Sequence, residues 1–133
     1  MENRNFTFGK AERLNSKIQI GELFAKGDPF FKYPFKVIVH RQNETGKPLV
    51  SILITVPKRN FKKAVDRNRI KRLIREAYRL NKHIIYEHLG QNNIRLNLAF
   101  IYTAKSILSY QEIERKIILI LQTIKKHDAV SVD

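Results

Sequence analysis

The chain has 133 residues, a length suited to one folded body with its own hydrophobic core. Its 26 Lys and Arg outnumber 12 Asp and Glu, a formal net charge of +14, while 43% of the residues are hydrophobic; this excludes a disordered basic tail and points to a folded protein with a polyanionic partner. The lack of cysteine excludes disulfides, thiolate metal sites and a Cys nucleophile, and no apolar leader or run near the roughly 18 residues of a membrane span is present, so we expect a soluble, cytoplasmic protein.

In chain order, Ser16 precedes Ile18, Ile20, Leu23 and Phe24, with Gln19 three residues on as in a capping box and Gly27 as a stop. This predicts a short first helix. Pro29 and Pro34 then bracket Phe30, Phe31 and Tyr33 before Phe35 to His40, which is rich in strand formers. The turn-like stretch Asn43 to Pro48 separates that strand from Leu49 to Val56, and the pair reads as a hairpin. From about Ala64 to Leu80 the spacing is helical, with Ile70, Leu73, Ile74 and Ala77 on one side. Gly90 to Asn93 reads as a loop and Leu96 to Thr103 as a strand. Ser109 to Glu112 forms a second capping box, opening a helix whose Ile113, Ile117, Ile120, Leu121 and Ile124 recur every three or four residues. With a further short strand between the hairpin and the second helix, the order is αβββαβα. We expect an α+β fold of a single domain, an α/β sandwich of about four strands and three helices, with residues 1–5 and 127–133 as tails.

From Lys58 to Arg79 ten cations face only Asp66 and Glu76, a net +8 of the total +14. With Arg67 set at zero and steps of roughly 100° per residue, Lys71, Arg75, Arg79 and Arg72 fall between roughly 40° and 140°, and Asn68 lies among them. Arg69 sits near 200°, at the edge of the stripe, and the apolar residues centre near 290°. A charged face of mixed sign is ordinarily just solvated. Here the signs do not mix, and like charges three and four residues apart cost a few tenths of a kcal/mol per pair. A phosphate backbone relieves that repulsion, and Arg suits its oxygens through bidentate contact.

The run Val56-Pro-Lys-Arg-Asn-Phe-Lys-Lys-Ala-Val-Asp-Arg-Asn-Arg-Ile-Lys-Arg-Leu-Ile-Arg-Glu-Ala-Tyr-Arg79 closely resembles the RNR signature of the bacterial ribonuclease P protein family. Phe8-Gly-Lys-Ala-Glu-Arg-Leu14 is similar to that family's N-terminal Lys-x-x-Arg-Leu element, the resemblance extends to Ile20-Gly-Glu-Leu-Phe24 followed by Gly27, and the likeness spans roughly residues 6 to 125. The resemblance implies a fold shared with a ribosomal-protein domain, with a left-handed crossover into the helix after the third strand. It implies that Lys58, Arg59, Lys62, Lys63, Arg67, Asn68, Arg69, Lys71, Arg72 and Arg75 contact a catalytic RNA. It implies a second surface, between the first helix and the sheet, that holds the single-stranded 5′ leader of precursor tRNA; the matching positions are Phe8, Arg13, Phe24, Tyr33, Phe35 and Val37. The chain departs from the family pattern at Pro57, where many members have Ser or Ala, and at Thr103-Ala-Lys105, where an Arg often ends the strand.

Of the aromatics, Phe24, Phe35 and Phe100 sit at apolar-face positions and read as core, while Phe8, Phe30, Phe31 and Tyr33 suit stacking on unpaired bases as well as ordinary packing. No catalytic residue and no metal ligand set is expected in the protein: the carboxylates do not cluster, and His40, His83, His88 and His127 are scattered. Asp66 and Glu76 read as local ion-pair partners. The resemblance places catalysis in the RNA, with Mg²⁺ at the RNA active site and no cofactor bound by the protein alone. The partners are then the catalytic RNA, at one protein per RNA, and precursor tRNA, with no membrane. Fold and charge alone also fit a ribosomal or RNA-chaperone protein. A DNA-binding protein lacks helix-turn-helix spacing and heptads here, and a membrane-surface helix lacks interfacial Trp.

Overall fold

The computed structural model describes residues 8–9, 12–42 and 48–130. Its elements are α1 (Lys17–Lys26), β1 (Asp28–Lys32), β2 (Phe35–Gln42), β3 (Val50–Thr55), α2 (Ala64–Asn81), α3 (His83–Gln91), β4 (Arg95–Tyr102) and α4 (Tyr110–Val130). Ser16 caps α1, its hydroxyl accepting from the Gln19 amide at 3.3 Å, and Ser109 caps α4 by accepting from the Glu112 amide at 3.2 Å.

The strands form one sheet in the order β1-β2-β4-β3, antiparallel except for the parallel pair of β3 and β4. The expected hairpin between β2 and β3 is therefore not formed; β4 lies between them. The turn assigned to it, residues 43–47, is outside the described residues. Consecutive strands usually pair, but β4 is the strand most completely buried on both faces, from Leu96 through Phe100, and burial on both faces belongs at the sheet centre. The hairpin that does form joins β1 to β2 through Tyr33 and a cis Pro34, with Lys32 opposite Phe35.

Alternation along the strands sends side chains to two faces. Phe35, Val37, Ile52, Leu96, Leu98, Phe100 and Tyr102 join Ile70, Ile74 and Tyr78 of α2, Ile85 and Leu89 of α3, and Ile113, Ile117 and Leu121 of α4 in the main core. Phe35 packs edge-on against Phe100 and Tyr102 at ring separations of 6.0 and 5.8 Å. The opposite face is covered by α1, where Leu14, Leu23, Ile38 and Ala99 bury a smaller cluster. Gly27 lets the chain pass: a Cβ there would lie 2.5 Å from Ile38 Cγ2 and closer still to the Leu23 carbonyl.

A fourth helix, α3, was not expected. The signal was present in Ile85 and Leu89, four apart and both fully buried, but Gly90 and the Asn pair after it read as a loop. Gly90 instead lies in the last turn, and Asn93 takes the left-handed backbone (φ 52°) that ends the helix. Residues 1–5 fall outside the described residues, while α4 continues through Val130, into the stretch expected to be a tail. Among the described residues, no helix is long and apolar enough to cross a membrane.

Candidate nucleic-acid interface

The α2 helix has the two faces that its sequence implies. Ile70, Ile74, Ala77 and Tyr78 are fully buried. On the other side Asn68, Arg69 and Arg72 are exposed, and Lys71 and Arg75 are half-buried. Lys58, Arg59, Lys62 and Lys63 are exposed on the segment leading into α2. That segment is pinned by Phe61, buried against the Tyr102 ring at 6.0 Å, and by the Asn60 and Phe61 amides, which donate to the Pro57 carbonyl at 3.2 and 3.3 Å.

Arg67 is half-buried, and its Nη1 donates to the Phe61 carbonyl at 2.7 Å and the Lys62 carbonyl at 2.9 Å. Lys63 at the N-cap makes no capping hydrogen bond, and the Arg67 contacts hold the carbonyls of the two residues that precede it. Part of this guanidinium is thus committed to shaping the loop that presents the lysines. At the far end of the stripe Arg79 donates to Glu76 at 2.7 and 3.1 Å, which makes Glu76 the local ion-pair partner expected. That contact lowers the Glu76 carboxyl and raises Arg79.

The N-terminal element docks beside α2. The Leu14 amide donates to the Ile52 carbonyl at 2.8 Å, and Arg13 bridges Ile52 alongside β3. The Arg13 guanidinium lies over the Phe8 ring at 5.4 Å, and Phe8 meets Tyr78 of α2 edge-on at 5.7 Å. Glu12 reaches the junction of α2 and α3, where it accepts from Lys82 Nζ at 2.7 Å and Tyr86 Oη at 2.6 Å. The side chain of Lys82 is only 2% exposed. Arg75, partly desolvated, is lowered by burial and then by the nearby charges of Arg13 and Arg72.

Of the positions matched to the second surface, Phe24 and Tyr33 are exposed at 49% and 63%, and Phe8 and Arg13 stand beside α2 as described. Phe35 and Val37 have no exposed surface: both point into the main core, so neither offers a face to a base. The side chains of β2 on the α1 face are the alternate ones, Lys36, Ile38 and His40, and a displacement of one residue in a period-two strand changes face. Phe100 is core as expected, but Phe24 is not. Phe30 packs against the core, whereas Phe31 is 69% exposed, with Lys36 Nζ at 5.8 Å from its ring. Phe31 and Lys36 extend the exposed aromatic and cationic surface of the α1 side; the first hairpin pairs them, which no local pattern reveals.

Among the described residues, no three His, Asp or Glu converge as a metal site. His40 and His127 line a cavity of about 520 Å³ together with Asp28, Phe30, Arg41 and Ile124. The buried pair of Glu12 and Lys82 is the feature that sequence reasoning missed, since its partners are separated by 70 positions and Lys82 reads as an ordinary surface cation.

A family model described as Ribonuclease P matches residues 8–125. The chain is 39% identical over 111 residues to the ribonuclease P protein component of Porphyromonas gingivalis, covering 82% of this chain and 81% of that protein. It is 34% identical over 113 residues to the corresponding protein of Chlorobaculum tepidum, covering 79% and 73%. The fold is similar to that of the Staphylococcus aureus RNase P protein, with a TM-score of 0.68 at 23% identity over 87% of this chain and 97% of that one. The Thermotoga maritima RNase P protein gives 0.67 at 22% over 84% and 96%.

Proposed function

Since the chain belongs to the ribonuclease P protein family, we propose that it binds the catalytic RNA through the loop and α2 face from Lys58 to Arg75 and holds the 5′ leader of precursor tRNA on its α1 side, promoting endonucleolytic removal of the leader. The observation that carries this reading is the single-sign face of α2, where Asn68, Arg69 and Arg72 stand exposed opposite a fully buried Ile70, Ile74 and Ala77. Such a face gains stability when phosphates replace the mutual repulsion of its cations, and the release of condensed counterions supplies the affinity. Its fixed position on a packed helix orients the RNA and contributes no bond-breaking group.

On the α1 side the leader meets Phe24, Tyr33 and Phe31, whose exposed rings suit stacking on unpaired bases, with Lys36 for the backbone. Phe35 and Val37 hold the sheet beneath them. Mg²⁺ at the RNA active site supplies the hydrolytic chemistry. The protein's own carboxylates on the basic face do not fit that ion: Glu76 is taken by Arg79, and Asp66 lies in the first turn of a cationic helix. The same reading puts one copy of the protein on each RNA, in the cytoplasm.

The test is cleavage of a 5′-extended precursor tRNA at low Mg²⁺ by the cognate catalytic RNA alone, by the RNA with this protein, and by the protein alone. Stimulation of the RNA by a protein that is inert on its own is expected. Absence of stimulation together with tight binding to unrelated RNAs would favour a ribosomal or chaperone role instead.

A further inference from the structure

Arg75 on α2 lies near two other arginines, Arg72 one turn before it and Arg13 from the distant N-terminal element, both close enough to act on its charge. Among the described residues none of the three has a carboxylate partner. Arg13 is placed by two contacts, one of them to a ring that is itself held by α2. Its backbone bridges Ile52, its guanidinium lies 5.4 Å from the Phe8 ring, and Phe8 rests on Tyr78, three residues beyond Arg75 and so on the next turn of the same helix side. The neighbouring Glu12 is fixed by Lys82, Tyr86 and the Gly9 amide, the last at 2.9 Å. Lys82 is nearly devoid of solvent, and its ammonium also lies 5.0 Å from the Tyr86 ring. A buried ion pair is not needed merely to fasten a chain segment, because apolar packing of similar volume does so as well or better. What the pair adds is a defined position for a residue that its like-charged neighbours repel.

We propose that the Glu12–Lys82 pair is a positioning device that presents Arg13 beside Arg72 and Arg75, and that the three guanidinium groups together form one binding site for a phosphodiester of the bound RNA. This rests on the RNA-binding role proposed above and adds to it a site joining the α2 face to the N-terminal element. Burial lowers Arg75, with smaller contributions from Arg13 and Arg72, as expected of a cationic cluster awaiting an anion. Lys82 touches no RNA in this arrangement; it acts through Glu12.

The measurement is the affinity of the full-length protein for the catalytic RNA as a function of monovalent salt, for wild type, Arg13→Gln, the double variant Glu12→Gln/Lys82→Met, and the three changes combined. Arg13→Gln should make the logarithmic salt slope shallower by about 0.7 to 0.9, the value of one phosphate contact. The double variant, which leaves all three arginines in place, should lose the same contact, and adding Arg13→Gln to it should change nothing further. A double variant that keeps the wild-type slope, with Arg13→Gln still removing its full contact on that background, would overturn the proposal and leave the pair a structural fastening. Failure of the underlying RNA-binding role shows differently, as a wild-type slope near one. If the double variant melts below the assay temperature, Tyr86→Phe takes its place, since it removes one hydrogen bond to Glu12 and retains the ion pair. The effect of Arg13→Gln should then be smaller on Tyr86→Phe than on wild type, and equal effects would again overturn the proposal.

Discussion

Glu12 shows how one side chain decides where others stand. Burial by itself raises its carboxyl, but the hydrogen bonds from Lys82, Tyr86 and the Gly9 amide outweigh it and hold the group below its ordinary 4.5. With the folded value below the unfolded one, the stabilisation from these contacts is complete above the unfolded value and is lost as pH falls through the folded value. The difference in melting temperature between wild type and Glu12→Gln should therefore narrow as pH falls below 4.5, where an unfolded carboxyl begins to protonate. Thermal melts across that range check it, and a difference independent of pH would contradict it. Gly27 decides a second position by its lack of a side chain. Gly27→Ala should destabilise the fold by about 2 kcal/mol or more, as overpacking against Ile38 and the Leu23 carbonyl forces the end of α1 off the sheet. Chemical denaturation would read the change as a lower midpoint. At this scale the sequence was a partial guide: it identified Ser16 and Ser109 as caps from spacing alone, yet it gave no hint that Phe24 lies outside the core, because an apolar residue at a helix edge follows the same period as one that is covered.

Among the elements, α2 divides stability from binding most clearly. Its buried side is shared with α4 and the sheet, so Ile74→Ala should cost about 3 kcal/mol through lost transfer free energy and the cavity left behind. Arg72 is exposed among like charges, and Arg72→Ala should leave stability within about 0.5 kcal/mol of wild type or raise it slightly, while weakening RNA binding and flattening its salt dependence. Denaturation and salt titration of the two variants give opposite pairs of results if the faces have these roles. The extent of α2 was legible because its apolar and cationic residues separate so completely around the helix. The beginning of α3 was not, since Lys82, a single turn residue between two helices, is polar in composition but buried by a partner from the N-terminal element.

Over the whole molecule, a net +8 of the total +14 lies between Lys58 and Arg79, and the bridge of Arg13 to Ile52 brings the N-terminal element beside it. If about six phosphates are contacted, affinity for the catalytic RNA should fall with salt at a logarithmic slope of order five. A salt titration of the wild-type complex measures it, and a slope near one would leave too few contacts for the surface described. Local sequence alone determined an α+β protein with a cationic α2 helix and three of the four helices among the described residues, and its RNR run carries the family likeness, because these depend on residues within a few positions of one another. The strand order could not be read the same way. Placing β4 between β2 and β3 depends on which strand gains most from burial on both faces, a comparison among strands far apart in the chain. The face presented by Phe35 and Val37 depended on strand register, and the convergence of Glu12 with Lys82 and of Arg13 with Arg75 depended on packing across dozens of intervening residues. Local physics chose the elements; only the tertiary structure decided which surfaces they share, since that choice is made by burial of the whole chain at once.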